Sequence, residues 1–303
     1  ATSLSEAGFD TFLIVADGKG DEKKGGVTIL DVGVRNGGRI SRMTKTVSKV
    51  YSRAISLDAD IYHLHDPELM PIGLKLKKKG KKVIFDAHED LPKQLLTKPY
   101  LNRLTRVVLS KVFSIYEGLV CKKFDAIITA TPVIRDKFLK INKNSYDINN
   151  FPLINELNSS TDWDEKASEV AYVGGYSEIR GIKQIVKAMA HTQNIKLNLA
   201  GACSEKDVKV EVSQYAGWKN VDDYGQVSRS KVKEILAQSR VGIVTFLAAP
   251  NHVESQPNKM FEYMSAGIPV LGSNFNLWKE IIVNNDCGIC VDPESPKEIA
   301  EGI

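Results

Sequence analysis

The sequence predicts an α/β fold in which parallel, doubly wound sheets form two domains. Short apolar segments alternate with segments of helical periodicity, a pattern typical of parallel strands joined by crossover helices. A polar stretch rich in turn-forming residues interrupts this alternation at residues 149–168. The charge also changes there, because residues 1–155 carry 26 Lys and Arg against 17 Asp and Glu, whereas residues 156–303 carry 15 against 20. We therefore predict one domain at residues 1–155 and a second at residues 156–303.

The composition is that of an ordinary globular protein of about two domains, with 303 residues, 43% hydrophobic and 26% charged. No apolar run approaches the ~20 residues that span a bilayer, and no signal peptide is visible. The four cysteines do not form the disulfide framework of a secreted protein and favour a reducing cytoplasm. Cys287 and Cys290 have redox-motif spacing, but a second pair for zinc is lacking, so neither redox nor metal chemistry is favoured there.

The first domain is predicted to begin with the end of a helix at residues 4–8 and to continue as alternating strands and helices. Strands are predicted at residues 11–16, 27–32, 60–64, 82–86 and 126–129, with a polar turn at residues 17–26. Helices are predicted at residues 39–56, 69–79, 101–121 and 131–140. In the third of these helices, apolar residues recur at helical spacing: Leu104, Val108, Val112, Ile115 and Leu119. Thr131 followed by a proline is a typical helix start.

The second domain shows the same alternation after the polar stretch. Strands are predicted at residues 170–173, 196–200, 220–224 and 241–246. Helices are predicted at residues 182–190 and 231–239, with a third from residue 258 to a stop at Gly267, just before Pro269. A glycine-bearing loop at residues 174–181 joins the first of these strands to the first helix.

The segment ESQPNKMFEYMSAGIP, residues 254–269, is the main candidate for a functional site. It follows a strand, and loops at the carboxyl ends of strands are where open α/β sheets bind ligands. The backbone N–H groups of Asn258, Lys259 and Met260 are expected to lack intrahelical partners and to form an anion site together with the helix dipole and the charge of Lys259. Glu262 lies one turn further on, where its carboxylate can accept two hydrogen bonds from a vicinal diol. A phosphate site followed by a diol site describes a nucleotide, and Glu254 is left to face the group beyond the phosphates.

Two glutamates at this spacing would by themselves be a coincidence on a solvated helix. The longer run PNKMFEYMSAGIPV, however, closely resembles the signature of retaining glycosyltransferases with the GT-B fold, and of family 4 in particular, whose carboxylates are separated by seven residues. The resemblance covers nearly the whole chain. It implies two Rossmann-like domains that face each other across a cleft, with the donor bound by the second and the acceptor by the first. Similar proteins begin with a strand and a glycine-bearing loop and end with a helix that returns to the first domain, and we expect both segments to be missing from this sequence.

The resemblance also assigns the loop at residues 174–181. Its N–H groups at Gly174 and Gly175 can approach a phosphate, and Arg180 matches a basic residue that clamps phosphate oxygens in similar enzymes. Those enzymes often carry a second basic residue where this chain has Gly175, so phosphate neutralisation is expected from Arg180 and Lys259, with Lys183 as a further candidate. The alternative for a lone glycine loop is a structural turn with a solvated arginine. The backbone at Gln226 and Val227 corresponds to the segment that holds the nucleobase in similar enzymes.

Histidines lie at the ends of two predicted strands of the first domain. The simpler interpretation is a structural one, in which their side chains are packed and hydrogen-bonded within the fold. His88 matches the position where similar enzymes place a histidine near the donor sugar or the acceptor, and His65 and Asp66 are weaker acceptor-side candidates. No cluster has metal-ligand spacing, and no Asp-x-Asp lies where the other main glycosyltransferase fold binds its metal. We therefore expect no metal and no cofactor, with cationic side chains and helix N–H donors stabilising the leaving diphosphate.

The basic run LKLKKKGKK, residues 74–82, is typically a solvated helix end, but it also favours contact with an anionic membrane surface. Nucleic acid is not an expected partner, because no binding motif and no aromatic platform is present. The prediction is thus a retaining glycosyltransferase that takes a UDP- or GDP-sugar as donor and a glycan or lipid-linked glycan as acceptor, in the cytoplasm or on the inner membrane surface. The alternatives are an inactive nucleotide-sugar-binding scaffold and a GT-B-like sugar-nucleotide epimerase.

Overall fold

The structure is a computed structural model that describes residues 1–34, 37–38, 41–98, 101–153, 155–158 and 161–303. The chain separates into two compact units. The first contains Ala1–Pro92 and Val108–Ile148, and the second contains Lys93–Val107 and Asn149–Ile303. The main division at Asn149 coincides with the start of the polar stretch found in the sequence. The grouping of Lys93–Val107 with the second unit was not predicted.

The first unit begins with a small three-stranded sheet. Strand β1 (Phe12–Val15) is hydrogen-bonded to β3 (Val27–Asp31) in parallel, and β2 (Glu22–Lys24) is hydrogen-bonded to β3 in the antiparallel direction. Strand β2 lies within the predicted polar turn, because its three exposed residues carry no hydrophobic signal. The Asp31 carboxylate accepts hydrogen bonds from the N–H groups of Gly18 and Gly20 in the turn before β2, and from the N–H of Gly33 just after β3.

The second sheet of this unit has four parallel strands that are adjacent in chain order. Its core is formed by large apolar side chains such as Leu76, Phe85 and Phe138. The strands are β4 (Ile61–Leu64), β5 (Lys82–Ala87), β6 (Ala126–Thr129) and β7 (Ser145–Asp147). Strand β7 was not predicted. Because β4 and β5 are parallel neighbours, the residues that follow them emerge at the same edge of the sheet.

The helices that precede residue 148 largely match the predicted ones. The side chain of Thr131 accepts a hydrogen bond from the Ile134 N–H at 3.3 Å, which confirms the expected cap. The helix predicted to start at residue 39 is present from Arg42, and Arg39 and Ile40 lie outside the described residues. The α-helices are Thr2–Glu6, Val47–Ser56, Met70–Lys78, Leu91–Leu96, Arg103–Cys121 and Pro132–Leu139, with the π-helical turn Arg42–Thr46 before the second.

The apolar face that the sequence shows on the long helix Arg103–Cys121 is exposed. Leu104 is 75% exposed, Ile115 65% and Leu119 64%. The helix instead packs through another face that includes Val120 and Cys121. Helical spacing was therefore a correct signal for the helix but did not identify the buried side. Within the described ranges, no helix is both long and apolar enough to cross a membrane.

The second unit contains a six-stranded, fully parallel sheet. Its strands are β8 (Glu169–Val173), β9 (Lys196–Ala200), β10 (Val221–Gly225), β11 (Val241–Val244), β12 (Val270–Ser273) and β13 (Gly288–Val291). Their spatial order is β10-β9-β8-β11-β12-β13. The first three strands therefore extend the sheet in one direction from β8, and the last three extend it in the other. Such an order creates a switch point between β8 and β11, where doubly wound sheets bind ligands.

Helices cover this sheet, and two clusters of buried side chains separate the helices from the strands. Tyr172, Leu199 and Ile243 are fully buried in one of these clusters. Burial on both faces of the sheet explains why the strands have continuous apolar sequences. The helices are Ile182–Ala188, Lys206–Val212, Arg229–Gln238, Asn258–Ser265, Asn276–Ile282 and Pro296–Gly302. The predicted α/β class with parallel, doubly wound sheets is thus confirmed.

Candidate functional site

The candidate site of the second unit lies at the switch point of its sheet. Strand β8 leads into the loop at Gly174, and β11 leads into the loop that ends at the helix Asn258–Ser265. The phenol of Tyr263 joins all three elements, because it accepts a hydrogen bond from the Val173 N–H at 3.0 Å and donates one to the Ile243 carbonyl at 3.2 Å. The helix that carries the predicted site residues is therefore fixed to the ends of both central strands.

The loop that carries Glu254 is held in place by hydrogen bonds to its backbone. Trp278 Nε1 donates to the Ser255 carbonyl at 2.7 Å, and Ser255 Oγ donates to the His252 carbonyl at 2.8 Å. Burial lowers the pKa of His252, which packs beside the ring of Phe246. The side chain of Glu254 remains about half exposed and pairs with Lys93. The loop is thus ordered while its carboxylate stays accessible.

Lys259 has the most unusual environment in this region. Its side chain is buried, and its Nζ lies 3.5 Å from the centre of the Tyr172 ring and 5.5 Å from that of Phe246. Among the described residues, this Nζ has no hydrogen-bond partner. Burial, and secondarily the charge of Arg180, lower the pKa of Lys259 well below its ordinary value. An ammonium group in such a position is poorly stabilised until an anion reaches it.

The glycine loop lies directly against this ammonium group. Gly174 has a φ of +91°, and a Cβ added to it would lie 3.8 Å from Lys259 Nζ. Arg180 crosses the same loop, since its Nη1 donates to the Gly175 carbonyl at 2.6 Å. Gly181 has a φ of +76°, and a Cβ there would lie 1.9 Å from the Thr245 carbonyl oxygen, so glycine is required at this position. This close approach brings the turn with Arg180 against the end of β11.

The start of the helix Asn258–Ser265 differs from the prediction in one respect. The Met260 N–H donates to the Pro257 carbonyl at 3.0 Å, so the expectation that this N–H is free for a ligand is wrong. Pro257 directly precedes the helix, and its carbonyl accepts the N–H of Met260, the third helical residue. Asn258 begins the helix as expected, and Met260 is buried in the core.

Glu262 is held by an arginine that the sequence analysis did not find. Arg229 Nη1 lies 2.6 Å from Glu262 Oε1, and its Nε and Nη2 lie 2.8 and 3.1 Å from the two carboxylate oxygens of Glu156. These contacts raise the pKa of Arg229 and lower the pKa of Glu156. Arg229 thus fixes the orientation of the Glu262 carboxylate. No local pattern marks this residue, because Arg229 lies on a different helix.

Three further residues were predicted on the donor side. Lys183 Nζ is 3.1 Å from a carboxylate oxygen of Glu178 and 2.8 Å from one of Glu211, so two carboxylates already balance its charge. Gln226 is exposed after the edge strand β10, and Val227 packs against the core. Their roles in binding phosphate and nucleobase stay predictions.

In the first unit, His65 and His88 are brought together at the ends of β4 and β5. Their rings are stacked with centres 5.7 Å apart, and Asp86 lies between them. His65 Nδ1 is 3.2 Å from Asp86 Oδ2, and His88 Nδ1 is 3.6 Å from Asp86 Oδ1. Burial alone would raise the pKa of Asp86, but the contacts with the histidines, His63 included, lower it below its ordinary value. Asp66 starts the following 3-10 turn, where its carbonyl accepts the Leu69 N–H.

Comparison with protein families gives two matches that together cover almost the whole chain. Residues 154–303 match the family described as Glycosyl transferases group 1, and residues 1–145 match Glycosyltransferase Family 4. Among curated proteins, an uncharacterized glycosyltransferase of Methanocaldococcus jannaschii is 28% identical over 144 residues. That match covers 46% of this chain but only 35% of the relative, so the chain spans about a third of the length of that relative.

Solved structures share the fold over a larger part of the chain. A sucrose-phosphate synthase from Thermosynechococcus elongatus matches with a TM-score of 0.76 and 17% identity, over 99% of this chain and 80% of the other. The Anabaena protein HepE, in complex with UDP and glucose, matches with a TM-score of 0.69 and 15% identity, over 91% and 76%. A trehalose-phosphate synthase from Burkholderia xenovorans matches with a TM-score of 0.66 and 13% identity, over 100% and 87%. At these identities the matches establish the fold, which is GT-B.

Proposed function

This chain belongs to the glycosyltransferases, since its second half matches group 1 and its first half matches family 4, and we propose a specific reaction for it. In this reaction a sugar passes from a nucleoside-diphosphate donor to a glycan or lipid-linked acceptor, with retention at the anomeric carbon. The observation that carries the proposal is the buried Lys259 ammonium, which has no hydrogen-bond partner in the described part of the chain and lies beside Arg180 and the Gly174 loop at the switch point. Two cations and a glycine loop fit a diphosphate.

The ribose and the sugar are assigned by their positions relative to this diphosphate. Glu262 follows Lys259 by less than one helical turn, and its orientation by Arg229 suits a carboxylate that accepts two hydrogen bonds from the ribose diol. Glu254 precedes the phosphate turn and stays accessible, which suits a contact with the hydroxyls of the transferred sugar. A UDP donor is supported by the HepE structure, although a GDP donor fits the same diphosphate site.

In the proposed reaction the acceptor hydroxyl attacks the anomeric carbon from the face on which the diphosphate leaves. The bond between this carbon and the phosphate oxygen breaks, the bond to the acceptor oxygen forms, and the acceptor proton passes to the leaving phosphate. Arg180 and Lys259 stabilise the charge that develops on the diphosphate, so this step does not need a metal ion on the phosphates. His88 and His65 are proposed to contact the sugar or the acceptor.

The first experiment is a thermal-shift screen over UDP- and GDP-sugars. A donor present at 100 times its Kd should stabilise the protein by ~2.7 kcal/mol, which identifies both base and sugar. A mixture of candidate acceptors with the stabilising donor should then release nucleoside diphosphate and yield a glycosylated product. The anomeric configuration of that product, measured by NMR, tests retention. Binding without release in the presence of any acceptor would favour the scaffold, and an epimerised donor would favour the epimerase.

A further inference from the structure

A cluster of metal-ligating side chains is present in the first unit. Within the described ranges, one group of His, Cys, Asp or Glu side chains has its ligand atoms close enough to share an ion: His63, His65 and Asp86, whose atoms all lie within 4.8 Å of one another. His63 and His65 are two residues apart on β4 and at its end, so they point to the same face of the sheet. Asp86 lies on the neighbouring strand β5.

The distances fit a tetrahedral ion. Zinc binds imidazole nitrogen at ~2.0–2.1 Å and carboxylate oxygen at ~2.0–2.2 Å, which places neighbouring ligand atoms roughly 3.3–3.5 Å apart. His63 Nε2 lies 3.4 Å from Asp86 Oδ2, and His65 Nδ1 lies 3.2 Å from the same oxygen. The two rings have centres 4.4 Å apart. A small rotation of the half-exposed His65 ring would therefore bring His65 Nδ1 to a similar distance from His63 Nε2.

Hydrogen bonding and ion pairing with Asp86 account for this arrangement only in part. His63 Nε2 is buried, yet it has no aligned hydrogen-bond partner among the described residues, despite its distance from Asp86. A buried polar atom in this condition calls for an explanation, and a bound cation is one. His88 Nδ1 faces the other carboxylate oxygen, Oδ1, at 3.6 Å. This is the position of the outer partner that typically orients a metal-binding carboxylate.

We propose that His63, His65 and Asp86 bind one divalent transition-metal ion of the zinc class, with His88 orienting Asp86. Two imidazoles and one carboxylate are the ligands of open zinc sites, in which a fourth position is left for water or substrate. The exposed sides of His65 and His88 give that position access to solvent. This site lies in the first unit and shares no residue with the diphosphate site, and for His65 it replaces the direct contact with the sugar or the acceptor proposed above.

The test is a titration of the chelator-treated 303-residue chain with Zn²⁺ and with Co²⁺. Co²⁺ is added because its visible absorption reports tetrahedral coordination. The accessible thiols would compete for the metal, so all proteins carry serine at Cys203, Cys287 and Cys290. The variants are His65→Gln, Asp86→Asn and His88→Gln. A matched control is His191→Gln, an exposed histidine in the second unit.

The parent and His191→Gln are expected to bind one equivalent of metal with equal affinity. His65→Gln and Asp86→Asn should each raise the Kd for Zn²⁺ more than 100-fold. His88→Gln should raise it by roughly 10- to 100-fold, as expected for an outer partner. Circular dichroism in the absence of metal checks that each variant is folded. If Asp86→Asn does not fold, His65→Gln serves as the test, because a half-exposed side chain can be replaced without unfolding the protein. The proposal is overturned if the folded parent binds no metal, or if folded His65→Gln binds Zn²⁺ as tightly as the parent.

Discussion

Replacement of Lys259 by methionine should strengthen the fold and weaken nucleotide binding at the same time. Methionine keeps the length and apolar stem of lysine but removes its charge. The ammonium is buried against the Tyr172 ring and has no hydrogen-bond partner in the described part of the chain. Its removal therefore relieves a desolvation cost in the free protein. The same removal deprives a bound diphosphate of one cationic donor.

The two effects can be estimated separately. Leaving a buried polar group unsatisfied costs about 1–3 kcal/mol, and the contact with the Tyr172 ring offsets roughly 0.5–2 kcal/mol of that cost. Lys259→Met should thus raise the free energy of unfolding by about 1 kcal/mol. A hydrogen bond to a charged group contributes about 1.5–3 kcal/mol, so the Kd for nucleoside diphosphate should rise roughly 10- to 150-fold.

Proton linkage gives a second signature of the same residue. The pKa of Lys259 is depressed in the free protein by burial, and a diphosphate at Nζ would raise it again. Diphosphate binding should therefore take up protons at pH values between the depressed and the restored pKa. Calorimetry in two buffers of different ionisation enthalpy measures this uptake, which Lys259→Met should abolish.

The assay combines urea unfolding with calorimetric titration of UDP and GDP. A matched control is Lys187→Met, because Lys187 also lies over an aromatic ring, with its Nζ 5.0 Å from the Tyr215 centre, but is exposed. This control should change neither quantity appreciably. Our assignment is refuted if Lys259→Met binds the diphosphate as tightly as the parent. A loss of unfolding free energy in Lys259→Met would instead show that the lysine has a structural role.

Three further predictions concern neighbouring residues. Glu262→Ala should weaken nucleotide binding by about 1.5–3 kcal/mol in calorimetry, with or without a chelator, and unchanged affinity in a folded variant would remove Glu262 from the ribose site. Glu254→Gln should bind nucleoside diphosphate like the parent but turn over roughly 10- to 100-fold more slowly, since ~1.4–2.7 kcal/mol of transition-state stabilisation is lost. Equal losses of nucleotide affinity and of turnover would instead assign Glu254 to the phosphate pocket. Replacing the exposed Lys78, Lys79 and Lys82 by Gln should reduce sedimentation with anionic vesicles, as should added salt, and a parent that shows no preference for such vesicles would contradict membrane contact.

The membrane prediction depends on which lysines of the basic run are free to act. Lys77 was predicted to contribute, but its Nζ donates to both carboxylate oxygens of Asp125 at 2.9 and 2.7 Å. The same carboxylate accepts the N–H of Val83 at the start of β5. The charge of Lys77 is thus neutralised within the fold. The exposed lysines of the run are the ones that can meet an anionic surface, which is why the vesicle experiment leaves Lys77 unchanged.

The sequence by itself determined the fold class and located the segments that carry most of the proposed donor site. Period-two and period-3.6 patterns are local, so strands such as β8 and β11 and the helix Asn258–Ser265 could be located within a few residues. Phosphate-binding turns are equally local, because glycines and the helix start are contiguous in the chain. Lys259 and Arg180 were therefore identified from sequence, and the structure places both beside the Gly174 loop.

Only the tertiary structure decided how residues far apart in the chain combine. The partnership of Arg229 with Glu262 joins two helices, and the cluster of His63, His65 and Asp86 depends on the register of β4 against β5. Spacing along one chain segment contains neither relation, which is why the sequence analysis found no metal-ligand cluster. The exposed apolar face of Arg103–Cys121 has the same cause, because periodicity defines the faces of a helix while the packing of neighbouring elements decides which face is buried.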